Sequence, residues 1–125
     1  MLALNAVVYA KDARRLADFY ARMLGLPVIE SGDSFVRLGA AGYELTVVQA
    51  PPALADTIVI AQPPQVREET PIKLSFAVTG MDALRPLIVN LGGGLRDSGW
   101  CWHGARHLDG WDPEGNVFQL REAEA

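Results

Sequence analysis

The residues best suited to bind a small molecule are concentrated in one segment, 99–111, which holds all three tryptophans and both histidines. Trp100 and Trp102 are two residues apart, so in an extended strand their side chains share one face. Aromatic walls with a few polar groups are typical of small-molecule pockets, and flat aromatic or cationic ligands stack on them. The alternative is that these tryptophans pack in a core or in a dimer contact.

Other side chains of this segment could take part in a chemical step. His103 and His107 suit general acid–base catalysis, because histidine ordinarily titrates near neutral pH. With Cys101 or Asp109 the two histidines could also hold a metal ion, but the pair lacks a specific ligand framework. Cys101 alone is more typical of a small packing residue, whereas Arg106 could contact an anionic substrate. The ligand-binding residues expected in the segment are Trp100, Trp102, His103 and Arg106.

The elements that must position this segment begin with a strand and a helix. The run Leu4–Ala10 predicts a strand, and Asp12 is a good N-cap for a helix with apolar residues at helical spacing over 16–24. Gly25 is placed to end that helix. Three further strands are predicted, at Val28–Ser31, 34–38 and Tyr43–Gln49. The first module, about residues 3–50, therefore reads as βαβββ.

A similar pattern follows a proline-rich linker of about residues 51–70, in which 57–60 is either a short strand or packed linker. Residues 72–78 predict a strand, and an apolar stripe over 84–91 predicts a helix that Asp82 could cap. The second module covers about residues 71–122. Its remaining strands are predicted at Trp100–Trp102, 105–108 and 116–121.

The two modules can be aligned with each other. Asn5 matches Lys73 at an offset of 68 residues, and Leu24-Gly25 matches Leu91-Gly92 at an offset of 67. A period this long with only two copies indicates a duplicated module rather than a solenoid.

Strand alternation selects four polar residues in the two modules. Alternate residues of a strand face opposite sides of a sheet, and four strands each place one polar residue opposite the side expected to pack against helices. The alternative interpretation is that this face meets water, as is common in antiparallel sheets. The four residues are Asn5, Glu44, Lys73 and Gln119.

Three stretches carry a family resemblance. They are Asn5-Ala-Val-Val-Tyr-Ala-Lys-Asp12 leading to Phe19-Tyr20 and Leu24-Gly25-Leu26, then Gly42-Tyr43-Glu44-Leu45, and Asp112-Pro113-Glu114-Gly115-Asn116-Val117-Phe118-Gln119-Leu120. In order and spacing the chain resembles the vicinal oxygen chelate superfamily, which includes glyoxalase I, extradiol dioxygenases and bleomycin-resistance proteins. The resemblance implies an α+β fold of two βαβββ modules whose curved mixed sheets enclose a cavity, with the helices packed outside. It also implies that 99–111 borders the cavity, and it makes a homodimer the expected assembly.

The resemblance also implies where a metal would be held. Metal-using members take one ligand from the first strand and one from the fourth strand of each module, and these positions correspond to Asn5, Glu44, Lys73 and Gln119. Only Glu44 is a strong ligand, Gln119 is a weak one, and the Lys73 ammonium has no lone pair and repels a divalent cation. We therefore expect no metal and no other cofactor, and we hypothesise that Lys73 pairs with Glu44. The alternative is a divalent metal at Glu44 and Gln119.

Composition bounds the remaining functional classes. The chain has 125 residues, half of them apolar, and a net charge of −4. This suits one globular domain, 1–125, and offers no basic face for nucleic acid. No apolar run approaches the roughly 20 residues that span a bilayer, and no export signal is recognisable, so the expected location is cytoplasmic, without a membrane partner.

These observations predict a metal-free small-molecule-binding protein of the glyoxalase/bleomycin-resistance type, with a small aromatic or hydrophobic compound in the sheet cavity. The alternative is a metal-dependent lyase, isomerase or dioxygenase of the same superfamily, or a metal-free acid–base enzyme with Glu44 or a histidine as its catalytic residue. Whether the protein is an enzyme stays open at this point. The expected ligand-binding set is Asn5, Glu44, Lys73, Gln119, Trp100, Trp102, His103 and Arg106.

Overall fold

The computed structural model describes residues 4–40 and 42–124. The chain separates into two compact units, Met1–Val59 and Ile60–Ala125, and their boundary lies within the predicted linker. The predicted start of the first module at residue 3, and the predicted domain limits at residues 1 and 125, lie outside the described residues.

The first unit is a four-stranded mixed sheet with a three-turn helix on one face. Its elements are β1 (Leu4–Ala10), α1 (Ala13–Leu24), β2 (Val28–Ser31), β3 (Phe35–Ala40), β4 (Tyr43–Gln49) and the one-turn helix α2 (Pro52–Ala55). The strand order is β1-β4-β3-β2, in which β1 is parallel to β4 and the other neighbours are antiparallel.

Helix α1 forms where its caps and its apolar spacing predict it. Asp12 Oδ1 accepts a hydrogen bond from the backbone N–H of Arg15 at 3.2 Å. Gly25 ends the helix in the left-handed region, with φ at 65°, a conformation that glycine adopts without strain. Each large side chain buried between α1 and the sheet stabilises the unit by about 1.5–3 kcal/mol. The large buried side chains of the helix are Leu16, Phe19, Tyr20 and Met23.

The second unit repeats this topology around a five-stranded sheet. Its elements are β5 (Leu74–Ala77), a 3-10 helix (Met81–Leu84) leading into α3 (Arg85–Asn90), β6 (Gly94–Leu95), β7 (Trp100–Trp102), β8 (Ala105–Trp111) and β9 (Val117–Ala123). Strand β5 is parallel to β9, which is antiparallel to β8. Strands β6 and β7 both pair with β8, so the second strand of this module is split in two.

Three local features differ from the sequence-based expectations. Strand β5 is shorter than the predicted 72–78, so Lys73 lies just before it, and no strand forms over 57–60. Asp82 does not cap the second helix, because the helical segment begins one residue earlier as a 3-10 turn after Gly80. Pro86 lies at the start of α3, where a missing N–H is tolerated, and it does not interrupt the helix.

In both sheets the strands alternate between a helix-covered face and a face that carries no helix of the same unit. In β4, Leu45 and Val47 are buried, whereas Glu44 and Thr46 are half-buried. We call the helix-free side of each sheet its open face. The predicted α+β class with two βαβββ modules is confirmed. Within residues 4–40 and 42–124 no helix is both long and apolar enough to cross a membrane.

Candidate ligand-binding site

The open face of the second sheet collects most of the side chains suited to bind a ligand. Trp100 pairs with His107, and Trp102 with Ala105. Asp109 pairs with Gln119, which in turn pairs with Ser75 on β5. Because paired residues point to the same side of a sheet, these side chains share one face. The residues that line this face and carry chemistry are Ser75, Trp100, Trp102, His107, Asp109, Trp111, Gln119 and Arg121.

One end of this face is an aromatic surface that we call the indole platform, formed by Trp100, Trp102 and His107. The rings of Trp100 and His107 are stacked, with centroids 5.4 Å apart and planes at 6°, and Trp102 is tilted against His107 at 6.2 Å. Trp100 is 43% exposed and Trp102 63% exposed, whereas His107 is only 4% exposed. Large exposed aromatic side chains grouped on one face are typical of binding surfaces.

His107 is the buried centre of the indole platform. Among the described residues, its Nδ1 atom is buried and has no hydrogen-bond partner. A buried polar atom without a partner destabilises the fold, and most such atoms in proteins are bonded. The unpartnered Nδ1 atom therefore makes His107 a candidate functional residue.

The middle of the open face is polar. The Lys73 ammonium contacts both carboxylate oxygens of Asp109 at 2.9 Å and lies 5.3 Å from the ring centroid of Trp100. Next to this pair, the hydroxyl of Ser75 donates a hydrogen bond to Gln119 Oε1 at 2.8 Å. The indole platform is thus bordered by a cation that is held in place by a carboxylate.

The other end of the face opens into a pocket of about 330 Å³. Its wall includes Trp111, and the guanidinium of Arg96 lies over that ring at 4.9 Å. Arg96 is also paired with Glu68. We call this cavity the charged pocket, and its lining residues are Val66, Glu68, Thr70, Pro71, Lys73, Arg96, Asp109, Gly110, Trp111 and Val117.

In the first unit, Glu44 is engaged by an arginine of the neighbouring strand. Arg37 Nη2 donates to both oxygens of Glu44, at 2.9 and 3.0 Å, and Nη1 donates to Glu30 at 2.8 Å. The hydrogen bonds to Glu44, and next those to Glu30, raise the pKa of Arg37 above its ordinary value. Glu44 lies across from Asn5 in the β1–β4 register. The hypothesis of a Glu44–Lys73 pair is therefore not needed to balance either charge.

Of the predicted ligand-binding residues, Arg106 lies on the opposite side of the sheet, and His103 lies in a turn against the ring of Trp102. Arg106 pairs with Cys101 and Glu122, on the helix-covered side of the sheet, and its guanidinium contacts Asp82 at 2.7 Å. His103 lies in the tight turn between β7 and β8, where its φ of 48° is left-handed, and its ring is edge-on to Trp102 at 4.0 Å. Arg106 thus stabilises the 3-10 turn rather than facing the pocket.

Other residues of the site were absent from the expected ligand-binding set, although the sequence suggests His107 for acid–base catalysis and Asp109 as a metal ligand. His107, Asp109 and Trp111 could have been found from alternation along β8, because all three share the parity of Ala105. Arg96 and Glu68 carry no comparable signal, since one lies in the loop that splits the second strand and the other in the linker.

The four residues aligned with the family ligand positions do not fit a divalent metal. The register also corrects that alignment, because Ser75 rather than Lys73 lies across from Gln119 as Asn5 lies across from Glu44. Lys73 has no lone pair, and both oxygens of Glu44 are already acceptors for Arg37. Gln119 Oε1 accepts from Ser75. In the part of the chain that the structure describes, no group of three His, Cys, Asp or Glu side chains is placed to hold a metal ion.

Comparison with solved structures relates the fold to small bacterial proteins. A glyoxalase/bleomycin resistance protein/dioxygenase family enzyme from Burkholderia phytofirmans PsJN is 18% identical, with a TM-score of 0.71 over 98% of this chain and 99% of that one. A glyoxalase/bleomycin resistance protein from Albidiferax ferrireducens T118 is 17% identical, with a TM-score of 0.66 over 95% and 96% of the two chains. The fosfomycin resistance protein FosX from Listeria monocytogenes is 17% identical, with a TM-score of 0.68 over 95% and 88%.

The comparison with protein families covers almost the whole sequence. No curated protein matches the chain. The model of the glyoxalase-like domain, however, matches residues 5–121, which include both modules and all strands of both sheets except the first residue of β1 and the end of β9. The chain therefore belongs to the glyoxalase-like domain family.

Proposed function

We propose that this protein is a metal-free small-molecule-binding protein that holds a flat aromatic compound against the indole platform. The observation that carries the proposal is the pair of exposed tryptophans grouped around a buried histidine, with Trp100 stacked parallel to His107. A stacked ligand ring would gain about 0.5–1.5 kcal/mol beyond the burial of its area. Lys73, beside Trp100, would meet an electron-rich or anionic group of the ligand.

The names of two structural relatives agree with an organic compound, rather than a macromolecule, as the ligand. One is described as a fosfomycin resistance protein and another as a glyoxalase/bleomycin resistance protein, and both names refer to antibiotics. We extend to this chain only the idea that it binds a small molecule. From the family resemblance we also expect a homodimer, which light scattering after size-exclusion chromatography would test. From the sequence we expect a cytoplasmic location, which cell fractionation would test.

The donor set supports the metal-free part of the proposal. Binding a divalent ion at Glu44 would require the carboxylate to leave Arg37. In the second unit Lys73, which contacts Asp109 beside Gln119, would repel an ion bound there. We expect purified protein to contain far less than one equivalent of divalent metal by elemental analysis. One equivalent of bound metal, whose removal by a chelator abolishes ligand binding, would contradict the metal-free part of the proposal.

A second candidate function is metal-free acid–base catalysis by His107. It is favoured by the buried Nδ1 atom, which has no partner among the described residues, because a substrate that displaces a tryptophan of the platform could supply one. Glu44, the catalytic residue expected from the sequence, is the weaker candidate, since Arg37 contacts both of its oxygens. Turnover of a bound aromatic compound that is lost in the His107→Gln variant would favour the enzyme over the binding protein.

Fluorescence and calorimetric titrations test binding at the platform. We expect saturable quenching of tryptophan fluorescence by members of an aromatic panel, and weaker binding in the Trp100→Ala and Trp102→Ala variants by about tenfold each, or about 1.4 kcal/mol. Leu54→Ala is a matched control, because Leu54 is an exposed apolar residue of the other unit. Equal affinity in all three variants, or no saturable binding by any aromatic compound, would contradict the proposal.

A further inference from the structure

We infer that the ligand carries a zwitterionic group, a carboxylate together with an ammonium, and that this group occupies the charged pocket while an aromatic ring lies on the indole platform. The inference rests on the proposed function and specifies the class of ligand. It concerns the end of the site that lies away from the tryptophan pair.

The size of the charged pocket suits such a group. Its volume is about 330 Å³, at the lower end of the range of about 300–1,000 Å³ found for small-molecule sites. Val66, Pro71 and Val117 supply apolar walls, and Thr70 contributes to its lining. The pocket therefore has room for a compound of the size of an amino acid rather than for a large antibiotic.

The four charged side chains that line the pocket form two ion pairs, so their net charge is zero. Lys73 is held by Asp109, and Arg96 is held by Glu68. Each pair keeps unused capacity, because an ammonium has three donors, a guanidinium five, and a carboxylate about four acceptor sites. A ligand can therefore bond to both cations and both carboxylates without breaking either pair.

This balance favours a ligand that is itself neutral overall but charged at both ends. A ligand with a single charge would meet, beside each group that attracts it, the oppositely charged partner of that group, which repels it, so attraction and repulsion largely cancel. A zwitterion leaves the net charge at zero and places its carboxylate near Lys73 and Arg96 and its ammonium near Asp109 and Glu68.

The spacing between the pocket and the platform defines the ligand further. Asp109 and His107 are two residues apart on the same face of β8, and two residues of a strand span about 7 Å. Lys73 bridges the two regions, since it contacts Asp109 and lies 5.3 Å from Trp100. A ring separated from an amino-acid group by one or two carbon atoms matches this distance.

Four probes of one shape and different charge test the inference by calorimetry. They are phenylalanine, which is a zwitterion, 3-phenylpropanoate, which is an anion, phenethylamine, which is a cation, and 3-phenylpropan-1-ol, which is neutral. We expect phenylalanine to bind at least about tenfold more tightly than each of the other three, or about 1.4 kcal/mol. An anion, a cation or a neutral probe that binds as tightly as phenylalanine would overturn the inference.

Variants that each remove one charge test whether the residues of the charged pocket cause the preference for the zwitterion. Glu68→Gln and Arg96→Gln are expected to weaken phenylalanine binding by about tenfold while leaving the affinity for 3-phenylpropan-1-ol unchanged. Glu69→Gln and Arg67→Gln are matched controls, because these neighbouring charges do not line the pocket. Equal loss in the test variants and in the controls would overturn the inference.

The outcomes separate the inference from the proposed function. If none of the four probes binds but a larger neutral aromatic compound binds at the tryptophans, the inference is wrong and the proposed function stands. If no aromatic compound of any charge binds, the proposed function is wrong, and the inference is wrong with it.

Discussion

The side chains of Lys73 and Asp109 are joined across an intervening strand. Lys73 precedes β5 and Asp109 lies in β8, with β9 between them in the sheet, yet Lys73 Nζ contacts both carboxylate oxygens at 2.9 Å. The pair ties the start of β5 to the centre of the open face. It also forms the side of the charged pocket that is next to the indole platform.

Removing this ion pair should affect stability only slightly. The two side chains are 36% and 28% exposed, and solvent screens such pairs, so we expect Asp109→Asn and Lys73→Met each to lower the free energy of unfolding by no more than about 1 kcal/mol. A double-mutant cycle in urea measures the coupling. A coupling of several kcal/mol would show that the pair is a structural element rather than part of a ligand site.

Substitutions at His107 separate its ring from its nitrogen atoms. His107→Phe keeps an aromatic ring against Trp100 and removes the unpartnered Nδ1, so we expect stability to be unchanged or raised by up to about 1–3 kcal/mol. His107→Ala removes the ring between the tryptophans and should lower stability by about 2–5 kcal/mol. Urea denaturation followed by near-ultraviolet circular dichroism measures both, and equal losses would show that the nitrogen atoms stabilise the fold.

The ion pair formed by Arg106 and Asp82 should make the free energy of unfolding depend on pH in the acid range. The hydrogen bond from Arg106 lowers the pKa of Asp82 below its ordinary value of 3.8. A carboxyl group with a lowered pKa stabilises the fold above that ordinary value, and its contribution is lost as the pH falls through the lowered pKa.

Denaturation midpoints between about pH 5 and pH 2 measure this loss. In the Arg106→Gln variant the pKa of Asp82 should return toward its ordinary value, so this part of the acid dependence should become shallower. Arg67→Gln is the control for the removal of one positive charge. The same pH dependence in the wild type and in Arg106→Gln would contradict the assignment.

Gly99 is predicted to be necessary for the indole platform. A Cβ atom at this position would lie 1.8 Å from the carbonyl oxygen of His107, so Gly99→Ala must displace the start of β7. We expect a stability loss of about 1–3 kcal/mol, a changed near-ultraviolet spectrum from the tryptophans, and weaker aromatic binding. Ser98→Ala is the neighbouring control, and an unchanged spectrum in Gly99→Ala would show that the platform does not depend on this close approach.

Local signals were sufficient to predict most of the fold. The bounds of Leu4–Ala10, Val28–Ser31 and Tyr43–Gln49 agree with the structure, because apolar alternation and turn residues delimit each strand. Asp12 and Gly25 likewise act as the caps that their chemistry indicates. The start of the second helix was missed because a 3-10 turn needs no side-chain cap, and Gly80 precedes it.

The alternation of side chains along each strand predicted only part of the site. Alternation placed Trp100 and Trp102 together, but it could not give the register between strands. The offset of 68 residues equates Lys73 with Asn5, whereas Ser75 is the residue that lies across from Gln119 as Asn5 lies across from Glu44. The charge partners follow from that register and from the linker, so Asp109 for Lys73 and Arg37 for Glu44 could not be derived from one sequence.

The split second strand of the second unit has a consequence for how the binding site can evolve. Leu95 pairs with Gly110 and Trp100 with His107, so the four residues 96–99 lie opposite only two residues of β8. Arg96 is hydrogen-bonded to β8 and Gly99 lies close against it, so the loop can gain or lose residues at 97 and 98 without shifting either register. Selection can therefore change the aromatic and the charged halves of the site separately, and related chains can acquire new ligands through substitutions at one sheet edge.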